Sequence, residues 1–369
     1  MISYSYLGVT HLTEAKFSKR ERDTAIMNNG VPRKTKFPIV LGSGLYGSYE
    51  RFEGARVKSV EDAKVLFDIF QSHGHTDIDT ARIYSAGSSE EYLAAADWKA
   101  RGLNVRDKLY PTKGKPLGHL GPAYSLEPED VRKGLMDCLE ALKTDKLDLF
   151  ILYAPDRKTP LEDTLREVNA LHQEGYFSRL GIANYMSWEV AKICELCDRY
   201  GWIKPVIYQS LYNVLSRVIE PELIPCLRAY GLALHTGQPL AGGFLTSRYT
   251  RHFSPTEHEA GSRFDPKCFH GKHHRFRYWN DTNFDALDMI REVAKKHNVT
   301  EVQCAMRWLS HHSMLDKDRG DAIIICGVTP EQLREDLVAL EEGPLPEEVV
   351  QVLNAAYLKV RGLIGPYNH

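Results

Sequence analysis

An eightfold alternation of short apolar runs with longer amphipathic segments predicts a single parallel (β/α)8 barrel. Three observations carry this. The runs are short and continuously apolar, as strands covered on both faces are. Each is followed by a stretch of helical periodicity. The run ends carry polar or special residues, as the active face of a barrel does. In chain order, Pro38–Gly44 reads as a strand and is followed by a helix near Ser59–Ser72. Thr76–Asp79 precedes Ser88–Arg101, and Leu109–Thr112 precedes Pro128–Leu142. Leu147–Leu152 precedes Leu161–Glu174, and Arg179–Ala183 precedes Trp188–Tyr200. Val206–Ser210 precedes Pro221–Ala229. Leu232–Thr236 leads into a long loop and then helical stretches at Asn283–His297 and Thr300–His311. Ala322–Cys326 precedes Pro330–Glu341, and a C-terminal helix is read over Pro346–Lys359. An open doubly wound sheet is the runner-up on pattern alone.

The chain has 369 residues, 43% of them hydrophobic, and a formal charge of −2. That suits a sizeable core and gives no electrostatic reason to expect nucleic acid or an anionic membrane surface. No apolar run reaches the roughly 18 residues of a membrane span. The stretch 1–36 is polar with no apolar signal core, so it reads as an N-terminal extension to a barrel at 37–369, and a cytoplasmic location is expected. The seven scattered cysteines read as reduced thiols. Cys194 and Cys197 stand alone as a pair on a helix, and no metal site is expected.

Asp79 and Tyr84 flank the second strand's end, and Lys113 follows the third. A carboxylate, a phenol and an ammonium held together form a proton-transfer device, in which the ammonium would lower the phenol's pKa. Tyr153, Asn184, Gln209 and Gly237 fall at further strand ends, so six strands aim polar or special residues at one mouth. The segment from Gln238 to Trp279 is long enough to be a functional loop. His270 to Trp279 within it is basic and aromatic and reads as a solvated, partly ordered loop, with covering cofactor phosphates or meeting a partner subunit as the alternatives.

Gly74-His75-Thr76-Asp77-Ile78-Asp79-Thr80-Ala81, with Tyr84-Ser85, resembles the first signature of the aldo-keto reductase superfamily. Ala154-Pro155-Asp156, His172-Gln173-Glu174-Gly175, Asn184-Tyr185, Tyr208-Gln209, Tyr212-Asn213 and Pro239-Leu240-Ala241-Gly242-Gly243 resemble its aflatoxin-aldehyde (succinic semialdehyde) reductase branch. The likeness runs from about Ile39 to Tyr357. It implies NADPH extended across the barrel mouth and reduction of a small-molecule carbonyl. By position, Tyr84 becomes the general acid, with Lys113 and Asp79 behind it. Asn184 and Gln209 become partners of the nicotinamide carboxamide. Gln238, Pro239, Leu240, Gly242, Ser247 and Arg248 become the pyrophosphate loop. Arg263, Thr329, Gln332 and Asp336 become partners of the adenosine phosphate and adenine. Arg217 becomes a substrate-pocket arginine. Relatives in this branch are often dimers, so the resemblance makes a homodimer a candidate assembly.

The chain departs from the family at three places. Tyr153 stands where a histidine is usual. Gly237 replaces the aromatic ring that stacks on nicotinamide, which makes His235 beside it a candidate substrate contact. Asp336 replaces an amide near adenine. Three readings therefore stay open: NADPH-dependent reduction of a bulky aldehyde or ketone of specialised metabolism, non-redox acid/base catalysis by Tyr84, Lys113 and Tyr153, and a non-catalytic cofactor-sensing subunit.

Overall fold

The computed structural model describes residues 30–115, 121–253 and 260–369. The N-terminal extension therefore lies almost wholly outside the described residues. Eight parallel strands close in sequential order into a barrel: β1 (Ile39–Gly42), β2 (Asp77–Asp79), β3 (Asn104–Leu109), β4 (Leu147–Leu152), β5 (Phe177–Ala183), β6 (Pro205–Leu211), β7 (Ala233–Gly237) and β8 (Ala322–Ile325). Closure leaves no free edge, and β1 pairs with β8 through Ile39 to Ile323 and Leu41 to Ile325. The open-sheet alternative is thereby excluded. Gly42, Gly44 and Gly47 do have the Gly-x-Gly-x-x-Gly spacing of a dinucleotide fingerprint, but no helix begins there. The first helix starts at Val60, after the Tyr46–Val57 bridge.

Around the barrel run α1 (Val60–Ser72), α2 (Ser88–Ala95), α3 (Pro128–Leu142), α4 (Leu161–Gln173), α5 (Ser187–Tyr200), α6 (Leu223–Tyr230), α7 (Phe269–Tyr278), α8 (Asp281–Lys296), α9 (Glu301–His311), α10 (Pro330–Glu341) and α11 (Glu347–Val360). Caps set several boundaries. Ser59 accepts the Asp62 N–H ahead of α1, and Thr300 with Gln303 forms a capping box for α9. None of the described helices is long and apolar enough to cross a membrane. All seven cysteines are free thiols.

Two differences from the sequence reading matter. The third strand is Asn104–Leu109, not Leu109–Thr112. Its Arg106-Asp107-Lys108 run looks like a solvated turn, yet all three residues are buried. Second, the basic aromatic stretch is the helix α7 rather than a loop.

The main core packs between barrel and helices, with Phe150 and Leu152 facing outward. By strand alternation Leu149 and Ile151 face inward, where they join Ala183, Ile207 and Ala233 in a separate apolar cluster inside the barrel. The adjoining inner wall, on β2 and β3, is charged. Arg106 donates to Asp77 (2.6 Å) and meets His235 Nδ1 at 2.8 Å.

Candidate active site

Asp79 and Lys108 occupy the layer above Asp77 and Arg106, at the C-terminal ends of β2 and β3. Lys108 Nζ donates to Asp79 Oδ2 and to the Thr80 carbonyl (2.7 Å), and its side chain is fully buried. Gln209 Nε2 donates to the other Asp79 oxygen at 2.6 Å. The carboxylate is thus held from two sides. The ammonium lies 4.7 Å from the Tyr84 ring centroid and 5.1 Å from that of Tyr153. The two phenol oxygens are 3.0 Å apart, with the rings edge to face.

Lys113 does not belong to this group. It is exposed and reaches Asp130 (3.2 Å) and Glu127 (3.7 Å) at the start of α3. The apolar pattern puts the third strand about one strand length too late, at Leu109–Thr112, and so points to the wrong lysine. The overlooked signal was the period-2 pair Arg106 and Lys108, which puts two cations on one strand face.

Burial sets the proton affinities here. Tyr84 is pushed well above the ordinary phenol value, first by burial and then by Tyr153 and the negative charge of Asp79, while Arg263 acts in the opposite direction. The lowered phenol pKa expected from a neighbouring ammonium is therefore not the state of the resting protein. Tyr153 is raised to about 12, again mainly by burial, with the hydrogen bond it shares with Tyr84 opposing it. Burial lowers Lys108, and Asp79 offsets part of that. Both phenols are thus protonated at neutral pH and can donate.

Asp79, Tyr84, Tyr153 and Gln209 line the floor of a cavity of about 1400 Å³, with Lys108 buried behind them. Small-molecule pockets usually measure roughly 300–1000 Å³, so a dinucleotide and a substrate fit together. Asn184, Gln209, Gly237, Gln238, Pro239, Leu240, Gly242, Ser247, Arg248, Arg263, Thr329, Gln332 and Asp336 all line it. Asn184 adopts a left-handed backbone conformation (φ +63°) that turns its amide inward, where Nδ2 donates to the Tyr153 carbonyl at 2.8 Å. The turn after β7 holds Gln238, Ala241, Gly242 and Gly243 at positive φ and brings its backbone to the cavity. At Gly242 a Cβ would meet His274 at 2.5 Å, so the close approach of α7 requires glycine. At Gly237 a Cβ would meet nothing nearer than the Ser210 carbonyl at 3.9 Å, so the site of the missing ring is open.

Two expected substrate contacts lie elsewhere. Arg217 is buried between Trp308 (4.1 Å) and Tyr357 (4.8 Å) and bonds Val214 O and Asn354 Oδ1. It ties the loop after β6 to α11. His235 points into the barrel interior, where burial and the adjacent Arg106 hold it well below its ordinary pKa. It is a neutral partner of the charged inner wall rather than part of the cavity.

Several cavity residues escaped sequence reading. His270, His273, His274 and Arg277 come from α7, and Tyr110 follows β3. His369 also reaches the cavity. Its backbone N–H donates to Asn184 O (3.2 Å), and its Nδ1 lies 3.1 Å from the Tyr110 hydroxyl. Tyr367 lines it as well and accepts the Ser187 N–H at 3.0 Å. A helical period does run through residues 269–278, but its charge hid it. No local pattern could show the return of 366–369 across the mouth.

Arg263 has no hydrogen-bond or ion-pair partner among the described residues, although it lines the cavity. Thr329 caps α10, whose N-terminus opens on the same space, and its hydroxyl accepts the Gln332 N–H at 3.3 Å. Asp336 is pushed up to about 8 by burial and then by Glu335, so it is a neutral acid at pH 7. A dinucleotide fits this donor set: a guanidinium and a helix N-terminus for phosphate, and a neutral acid that can donate and accept as an amide does.

Comparison with known proteins agrees with this geometry. The model of the Aldo/keto reductase family matches residues 38–358. The chain is 68% identical over 336 residues to the aldo-keto reductase pigE of Monascus ruber, covering 91% of this chain and 98% of that one. It is 40% identical over 294 residues to the human aflatoxin B1 aldehyde reductase member 2, covering 78% and 79%. It is 31% identical over 321 residues to the oxidoreductase sirO of Leptosphaeria maculans, covering 86% and 93%.

Proposed function

Because the chain belongs to the aldo/keto reductase family, we propose that this oxidoreductase reduces an aldehyde or ketone with NADPH, using Tyr84 as the general acid. The observation that carries the reading is the buried Lys108–Asp79 pair beneath two protonated phenols, at the floor of a dinucleotide-sized cavity. Reduced nicotinamide, when bound, supplies the hydride. The chain's own residues supply the rest. Tyr84 donates its proton to the oxygen that becomes alkoxide. Lys108, fixed by Asp79, stabilises the phenolate left behind. Tyr153, 3.0 Å from the Tyr84 oxygen, donates a second hydrogen bond. Asn184 and Gln209 line the carboxamide end. Gln238 to Gly242, Ser247, Arg248, Arg263 and the N-terminus of α10 surround the phosphates, and an unpartnered guanidinium favours NADPH over NADH. The open space at Gly237 suits a bulky substrate, and aldehyde reductases among the relatives support an aldehyde. A homodimer remains part of the proposal.

The test is direct. Titrate the protein with NADPH by fluorescence, then follow the reduced-nicotinamide absorbance with aromatic aldehydes. The reading expects micromolar binding, one NADPH consumed per product, and a loss of about 10²–10⁴-fold in kcat for Tyr84→Phe. No binding, or product formed without NADPH loss, would overturn it. The latter result belongs to the non-redox reading.

A further inference from the structure

On the far side of β3 from Lys108 lies a second buried ionic cluster. Asp107 points outward from the strand and Glu90 comes from the first turn of α2. Cys138 comes from α3, and one ligand atom of each lies within 4.8 Å of the others. Glu90 and Asp107 are both 0% exposed. Arg82 enters from the loop after β2, with Nη2 2.7 Å from Glu90 Oε2. Glu90 Oε2 meets only the Arg82 guanidinium, and Glu90 Oε1 and Asp107 Oδ2 have no hydrogen-bond partner among the described residues. Three acidic groups around a gap resemble a metal site, but the Arg82 guanidinium already occupies the cationic place beside Glu90. Two carboxyls facing one guanidinium leave one surplus negative charge, and a buried unpaired charge is costly. A single proton held between the carboxyls removes the charge and gives the bare oxygens a donor. Burial, first among the causes for both, raises Glu90 and Asp107, in line with this.

Arg82 lies two residues before Tyr84. Its Nη2 donates to Gly87 O at 2.6 Å and its Nη1 to Asp137 O at 3.1 Å. Its backbone N–H donates to Lys108 O at 3.1 Å. The loop it closes holds Ser85 (φ +48°) and Ala86 (φ +53°) in the left-handed region, which L side chains avoid. Asp107, on the other wall, accepts the Lys108 N–H at 2.7 Å. The cluster therefore grips the loop that carries Tyr84 and the strand that carries Lys108.

We propose that Arg82, Glu90 and Asp107 form a positioning device that, by sharing one proton between the carboxyls and clamping the strained 82–87 turn, fixes the Tyr84 hydroxyl over Lys108. The inference rests on the reductase reading for its kinetic consequence but not for its structural one. These residues touch neither cavity nor cofactor; they act through Tyr84 and Lys108.

Arg82→Met removes the clamp, and Arg82→Lys keeps the charge but cannot span Glu90, Gly87 O and Asp137 O together. Both variants are assayed for kcat, for KM of NADPH, and for amide hydrogen exchange of the peptide covering residues 82–90. The expected result is at least tenfold faster exchange in that peptide, a kcat lower by at least tenfold, and a KM for NADPH within twofold of the parent. If Arg82→Met does not fold, Arg82→Lys decides, because it leaves the cluster electrically balanced. Parental exchange in Arg82→Lys overturns the clamp. Faster exchange with parental kcat overturns its role in positioning Tyr84. If the parent itself never oxidises NADPH, the reductase reading fails, while the exchange rates still decide the clamp.

Discussion

The two inner walls of the barrel are built on neighbouring strands of the same length and fare oppositely. Strand β4 turns Leu149 and Ile151 inward, where they pack with Ala183, Ile207 and Ala233. Strand β3 turns Arg106 and Lys108 inward, where they meet Asp77, His235 and Asp79. One wall is stabilised by removing apolar surface from water. The other is tolerated only because each charge has a partner, and a buried pair contributes little net stability. The apolar wall is therefore scaffold. The charged wall is a cost, and it persists where the Lys108–Asp79 pair lies beneath the two phenols of the cavity.

Breaking the charged wall should have the largest effect. Lys108→Met should lower kcat by about 10²–10⁴-fold, the range of lost acid–base assistance. It should also cost about 3–5 kcal/mol of stability by stranding Asp79. Lys113→Met, on the surface, should leave kcat within twofold. Steady-state assays and denaturant melts separate the two lysines, and equal losses would contradict the geometry. On the apolar wall, Leu149→Ala should cost about 2–5 kcal/mol in unfolding free energy through the cavity it opens. Turnover per folded molecule should stay within a few-fold, which denaturant melts paired with active-site titration check.

The mouth above the walls offers a gain rather than a loss. Gly237→Tyr places a ring in open space at a backbone conformation that accepts any residue. Stacking worth about 0.5–1.5 kcal/mol should tighten NADPH binding by about 2–10-fold. It should also narrow the range of accepted aldehydes, and fluorescence titration with a substrate panel reads both. The smallest effect concerns Asp336. It is buried without a cation, so it stays protonated to about pH 8. Below that pH it is neutral and NADPH affinity should be level. Above it the carboxylate faces the cofactor's adenosine phosphate, and affinity should fall by a few-fold. Asp336→Asn should flatten the profile, and binding isotherms from pH 6 to 9 test the sign.

The same contrast explains what could be read in advance. Apolar β4 is found over Leu147–Leu152 both in the sequence pattern and in the structure, because burial on both faces leaves a continuous apolar run. Strand β3 is not legible in the sequence because two of its three consecutive charges, Arg106 and Lys108, are paired by residues 28 to 129 positions away, which no local window contains. Asp79 and Tyr84 were legible because loop chemistry five residues long keeps them together. Their lysine was not, because the strand before it was misread.

By itself, the sequence determined the eight strand–helix units, the closed barrel they imply, and the family motifs that place Asp79, Tyr84 and Tyr153 at one mouth. Periodicity and short-range spacing encode those. Only the tertiary structure decided that Lys108 rather than Lys113 faces Asp79, that Arg217 and His235 are buried away from the cavity, and that α7 and residues 366–369 help wall the mouth. Those outcomes depend on which distant charges meet once water is excluded, and burial makes such pairings obligatory only after the barrel has closed.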